Sequence, residues 1–306
     1  MNFIKNWTLP LAMLIGTIGY KVMGYLSPIT PYLIFCMLLL TFSKLSLQEL
    51  RPRLSHLWLL LIEIVGAIAI YFLIVPFDPI VAQGIMICII CPTATAAAVV
   101  TNKLGGNTAS ITTYILICNL AVAFVIPSLF PLITQETIRE NTEFFPAFMH
   151  IMGRIFPLLI CPFLVAQLIR YLSPKLNSKI TSISGFAFYL WAIALTIAMG
   201  MTVRSLIEEP TDTNTLFLLA IGSLIACLLQ FFIGKAIGKT TNDTIACGQS
   251  LGQKNTILAI WICTAYLHPV TALAPGLYVI WQNIFNSTQL YLARKKQSKK
   301  NVNYYK

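Results

Sequence analysis

Lys254 stands in the stretch CGQSLGQKNTILA, residues 247–259, inside an apolar region long enough to enter a bilayer. A lysine at the middle of a membrane helix costs about 2.5–3.5 kcal/mol on insertion scales, so it needs a partner or a function. The helix around it is interrupted by Gly248 and Gly252, with Ser250 between them. A second interrupted stretch, IICPTATAAAVV at residues 89–100, breaks at Pro92. At each break, backbone N–H and C=O groups lose their helical partners, which is tolerable at membrane depth only against protein or a wet cavity. Half-helices starting near Thr93 and near Lys254 would aim free N–H groups and positive dipole ends at the centre, an arrangement suited to an anion. Paired broken helices in two halves of a chain are the best sequence pointer to a transporter's binding site.

Glu63 is the other intramembrane charge that could take part, by pairing with Lys254 or relaying protons. At 1.5 Å per residue its depth past His56 is about 10 Å, which places it near the cytoplasmic interface. Arg154 is expected to snorkel outward. His56, His150 and His268 fall at segment edges and are read as interfacial, and no triad or metal-ligand cluster is visible. Cys36, Cys88, Cys118, Cys161, Cys227 and Cys263 lie in apolar stretches, where cysteine acts as a small hydrophobe. These residues call for no cofactor and no metal, and no catalytic group is assigned, so the chain is not read as an enzyme.

The elements that must position these residues follow from composition. Of 306 residues 57% are hydrophobic and only 10% charged, against about one quarter charged in a soluble domain. With roughly 20 apolar residues per span, ten segments emerge, at about 7–25, 29–46, 55–76, 79–103, 107–134, 145–172, 180–204, 214–238, 242–267 and 271–293. With the N-terminus inside, every cytoplasmic loop carries Lys or Arg, and the basic tail RKKQSKKNVNYYK lies there too. The acids Asp78, Glu136, Glu140, Glu143, Glu208, Glu209 and Asp212 collect on the other side. The net charge of +11 then needs no nucleic acid, since the tail suits anionic headgroups. The expected fold is an all-α membrane protein of about ten transmembrane helices, as two inverted five-helix repeats with two discontinuous crossing helices. The first repeat spans 1–144 and the second 145–293, followed by a tail at 294–306.

Three motifs then carry a resemblance. Cys91-Pro92-Thr93-Ala94-Thr95-Ala96-Ala97-Ala98-Val99-Val100-Thr101 is similar to C-P-G-G-T-A-S-N-V-V-T, Gly252-Gln253-Lys254-Asn255-Thr256-Ile257-Leu258-Ala259 to G-M-Q-N-S-G-L-A, and Trp281-Gln282-Asn283 to W-H-N. In this order and spacing they resemble the bile acid:sodium symporter family of secondary transporters over essentially the whole chain. The resemblance implies a core domain of helices 3–5 and 8–10, a panel of helices 1, 2, 6 and 7, and a small organic anion bound between them. Bile acids, pantoate and keto acids are the substrates it suggests. It also implies Thr93, Thr95, Asn255, Gln282 and Asn283 as substrate-facing residues.

The departures fall on the sodium sites that the resemblance implies. Ala97 and Ala98 replace Ser-Asn, Ile111 and Ile115 replace a Ser and a Thr, Ser250 replaces a Glu, Lys254 replaces a Gln, and Tyr71 replaces a Gln. The carboxylate and most of the oxygens are lost and a cation is added, which would repel Na⁺ in a low-dielectric site. Transport is therefore expected to be sodium-independent, by uniport or proton coupling, with Lys254, Ser250, Gln253 and Glu63 as coupling residues. The alternative is a conventional sodium-coupled symporter; an intramembrane enzyme or a sensor is more remote. The expected partners are a small organic anion, the lipid bilayer and, in the coupled version, protons. The expected location is a bacterial inner (plasma) membrane with both termini cytoplasmic.

Overall fold

The structure is a computed structural model that describes residues 2–133 and 144–304, with side chains over 7–133 and 144–295. The acid-rich stretch holding Glu136, Arg139, Glu140 and Glu143 lies outside the described residues. So do the side chains of Lys5, Lys296, Lys299, Lys300 and Lys306.

The described chain is helical almost throughout. In order come α1 (Asn2–Ile18), α2 (Tyr20–Leu26), α3 (Thr30–Phe42), α4 (Leu54–Ile74), α5 (Pro79–Ile90), α6 (Ala96–Lys103) and α7 (Thr108–Ile133). Then follow α8 (Phe144–Leu172), α9 (Pro174–Ser182), α10 (Ala187–Glu208), α11 (Thr213–Thr240), α12 (Thr244–Gly252), α13 (Thr256–Tyr266) and α14 (Leu273–Tyr304). Among the described residues, six helical stretches are long and apolar enough to cross a membrane: Tyr20–Phe42, Leu54–Ile74, Thr108–Ile133, Phe144–Leu172, Ser184–Glu208 and Thr213–Thr240. Shorter apolar helices cover Trp7–Ile18, Pro79–Ile90 and Thr256–Tyr266. The chain is an integral membrane protein. Exposed Phe217, Ile221, Ile225 and Leu229 line one face of α11 at intervals of one turn, while Leu219, Ser223, Ala226, Cys227 and Gln230 are buried on the other. An outward apolar stripe of that length belongs against lipid.

Local chemistry fixes the ends. Pro79 opens α5 behind Asp78, whose Oδ1 accepts the N–H groups of Ile80 at 2.9 Å and Val81 at 3.0 Å. Asn107 caps α7 through Ser110 N–H at 3.0 Å. Asn242, at φ 54°, turns the chain between α11 and α12, a left-handed position that Asn tolerates better than other side chains.

The helices pack as two groups. One contains α1, α2, α3, α8 and α10; the other contains α4–α7 and α11–α14, and they meet through α7 on α8, α13 on α3 and α10, and α14 on α10. In the first group, Gly16 lies against Thr196 and Gly200, and Gly24 against Arg204, so α1 and α2 run alongside α10 in the same direction.

Two expected boundaries are corrected. Gly248 is not part of a break: it sits inside α12, where the stem of Lys235 covers it too closely for a Cβ. The seventh segment does not begin at 180, because the polar sequence PKLNSKITS forms a separate short helix, α9, and α10 starts only at Ala187.

Candidate functional site

The two interruptions meet in space. The chain leaves α5 at Cys91 in an extended conformation, φ −61° and ψ 139°, as the following proline requires. It leaves α12 at Gln253, also extended, at φ −103° and ψ 97°. Across these residues Thr93 and Lys254 pair as an isolated antiparallel bridge. Ala94 N–H donates to the Gln253 carbonyl at 2.8 Å, and Asn255 N–H donates to the Pro92 carbonyl at 2.8 Å. Each broken helix thus satisfies the groups that the other leaves free, which is what membrane depth demands. The half-helices then restart as α6, behind Thr95, and α13, behind Asn255, whose side chain accepts Leu258 N–H at 3.3 Å.

Side chains complete the crossing. Thr93 donates its hydroxyl to the Ser250 carbonyl at 2.5 Å, and Cys91 Sγ donates to the Asn255 carbonyl at 3.2 Å. Gln282 Oε1 accepts Lys254 N–H at 2.9 Å. Tyr278 Oη donates to the Gly252 carbonyl at 3.0 Å and accepts from Gln230 Nε2 at 3.0 Å. Asn286 bridges Gln249 and Gln253, at 2.9 and 3.1 Å. Replacing Gln282 with Leu is expected to lower stability by about 1–3 kcal/mol, the cost of a buried N–H left without its acceptor. Thermal unfolding of the detergent-solubilised variant checks this, and an unchanged midpoint would mean that the bond contributes nothing.

The Lys254 side chain is fully buried, and its Nζ lies 3.0 Å from Glu63 Oε1, with side-chain exposures of 1% and 0%. Glu63 is enclosed by protein and stands midway along α4 rather than near its end. It also receives Tyr114 Oη on Oε2 at 2.7 Å and Cys118 Sγ on Oε1 at 3.1 Å. Every neighbour that bonds this carboxylate is a donor. Apart from Glu63, the ammonium has no polar partner among the described residues. The carboxylate that pairs with Lys254 thus comes from another helix, α4.

The other expected positions separate. Thr93, Ser250, Gln253, Lys254 and Gln282 are buried at the crossing, while Thr95 and Asn255 are partly exposed beside it. Asn283 does not join them: its amide turns back to the Val279 carbonyl of its own helix at 2.7 Å, because Gln282 takes the inward face of α14. Ala97, Ile111 and Ile115 are buried without a side-chain oxygen to offer. His56 lies at the start of α4, as expected, but is enclosed by protein. It is 2% exposed, with Nε2 2.9 Å from Ser110 Oγ and Nδ1 accepting Arg53 N–H at 3.3 Å. Arg154 and His150 are exposed on α8. Tyr114 and Cys118 were not foreseen as part of the site. Their spacing of one helical turn on α7 puts them on one face, but only the position of Glu63 gives that face a meaning.

Residues 17–295 match the model of the SBF-like CPA transporter family. A comparison with curated proteins found no match.

Proposed function

The chain belongs to the SBF-like CPA transporter family, which is bile acid:sodium symporter-like, and from that premise we propose that it carries a small organic anion across the membrane by alternating access, without sodium. The observation that carries this reading is the buried pair of Lys254 and Glu63 at the helix crossing. The ammonium occupies the position that the resemblance aligns with a sodium-site residue and takes up the buried carboxylate of Glu63, which leaves that carboxylate unavailable to offset a Na⁺ ion. The starts of α6 and α13 bring positive dipole ends to the crossing, which suits a carboxylate. In this reading Thr95 and Asn255 contact substrate, with Asn283 at the edge of the site. Thr93, Ser250, Gln253 and Gln282 hold the breaks in register, and Lys254 and Glu63 couple binding to movement.

Ten crossings in two inverted sets of five, residues 1–144 and 145–293, form the topology of this proposal, with both termini cytoplasmic. The antiparallel pairing of Thr93 with Lys254 supports an inverted relation between the halves. The parallel course of α1–α2 and α10 fits first and seventh crossings in one direction. The packing group of α1, α2, α3, α8 and α10 would be the panel, moving against a core of α4–α7 and α11–α14. A small cleft lined by Ser27, Thr30, Met201, Trp261 and Thr264 lies where the two groups meet. That position supports an interface able to open.

Uptake of labelled pantoate, pyruvate and cholate into proteoliposomes, with and without an inward sodium gradient, tests the reading. At least one probe is expected to enter at a rate that sodium leaves unchanged. Several-fold stimulation by sodium would favour the conventional symporter instead.

A further inference from the structure

Glu63 and Lys254 cancel each other's charge in a site closed to water. Burial of an uncompensated charge is strongly unfavourable, so a working cycle has to keep this site near neutral in every occluded state. If a monocarboxylate enters and binds the ammonium, the site holds one cation and two anions. One proton on Glu63 restores neutrality.

We propose that Glu63 is the proton site of an electroneutral symport, in which one proton enters with each monocarboxylate and Lys254 passes from Glu63 to the substrate. This rests on the organic-anion reading above. A proton from the external water binds Oε1 of Glu63, the oxygen that Lys254 and Cys118 contact. The neutral carboxyl gives up the ammonium, which takes the substrate carboxylate as counter-ion. On the opposite side the substrate leaves, the proton returns to water, and the ammonium goes back to Glu63. The balance is one proton and one carboxylate moved, with no net charge.

The surroundings fit this exchange. Lys254 has no polar partner but Glu63 among the described residues, so nothing else holds the ammonium when the carboxyl is neutral. The titratable groups facing Glu63 are Tyr114 and Cys118 on α7, Lys254 at the break between α12 and α13, and, farther off, Cys91 at the end of α5 and Tyr278 on α14. The thiols and phenols can donate to either form of their neighbour, because a neutral carboxyl retains acceptor capacity. Lys254 is the sole positive charge among them. The pair also spans separate elements, α4 and the α12–α13 break, so its separation can accompany relative movement within the crossing.

The test uses proteoliposomes containing the full chain and a pH-sensitive dye, with pantoate, pyruvate and cholate as separate probes. Wild-type protein is expected to acidify the lumen as the probe enters. A one-unit inward pH gradient should support about tenfold accumulation at 1:1 coupling, since one pH unit is a factor of ten. A membrane potential at equal pH should support none. Glu63→Gln leaves Lys254 neutralised only while substrate is bound, so accumulation driven by the pH gradient should be lost, while exchange of internal for external probe should persist and no longer depend on pH. Glu63→Asp should retain proton coupling. The wild-type arms decide the matter even where a variant fails to fold. Accumulation set by potential and blind to the pH gradient would overturn the symport and leave sodium-independent anion transport standing. Accumulation set by a sodium gradient, or no uptake of any probe, would remove the underlying reading and the symport with it.

Discussion

Lys254→Met is expected to lower unfolding stability by about 3–5 kcal/mol and to reduce transport to background. The cost is that of leaving one member of a buried ion pair without its counter-charge. Glu63 would keep Tyr114 and Cys118 as donors but lose its cation. The double variant Glu63→Leu/Lys254→Met removes both charges, and a buried pair exchanged for apolar side chains of similar size is often neutral or stabilising. Most of the lost stability should therefore return in the double variant, while transport should not. Thermal unfolding of the three proteins in detergent, beside uptake assays, measures both effects. If the double variant were as unstable as Lys254→Met, the two charges would not be coupled in the way their 3.0 Å separation implies.

The second large effect is expected at Gly234. A Cβ there would fall on the backbone of Cys247 and Gly248, closer than van der Waals contact allows. Backbone cannot step aside as the end of a flexible side chain can. The α11–α12 contact also sets the position of the chain that reaches Ser250 and Lys254. Gly234→Val should lower stability by about 1–3 kcal/mol, the usual cost of overpacking, and impair transport beyond the loss of folded protein. Gly66, which has open space around it, is the control: Gly66→Ala should leave both quantities nearly unchanged. Uptake normalised to folded protein distinguishes the two sites, and equal behaviour would mean that the close helix contact is dispensable.

The proposed sodium-independent reading also bears on the positions that the resemblance aligns with sodium ligands. Ala97, Ile111 and Ile115 leave apolar surface where the resemblance implies oxygen ligands, and Ser250 uses its carbonyl, accepting Thr93, to join the two breaks. In the proposed sodium-independent reading, the absent ligands and Lys254 go together, and the lysine's own charge also has to be balanced. The balancing carboxylate is Glu63 on α4.

The sequence by itself determined the elements and the two weak points in them. Apolar length marks a membrane helix, Pro92 forbids the continuation of α5, and Gly252 with Gln253 weakens the end of α12; all of these act within a few residues. Lys254 was legible for the same reason, since a charge in an apolar run stands out without knowledge of its neighbours. Only the tertiary structure decided that Gly248 stays helical under Lys235, that Gln282 rather than Asn283 faces the crossing, and that Glu63 is enclosed by protein midway along α4. Enclosure, helix rotation and the partner of a buried charge depend on groups far apart in the chain, through packing that no local pattern encodes. Glu63 and Lys254 lie in opposite halves of the protein, and the fold brings them to 3.0 Å because neither charge is stable in that interior without the other.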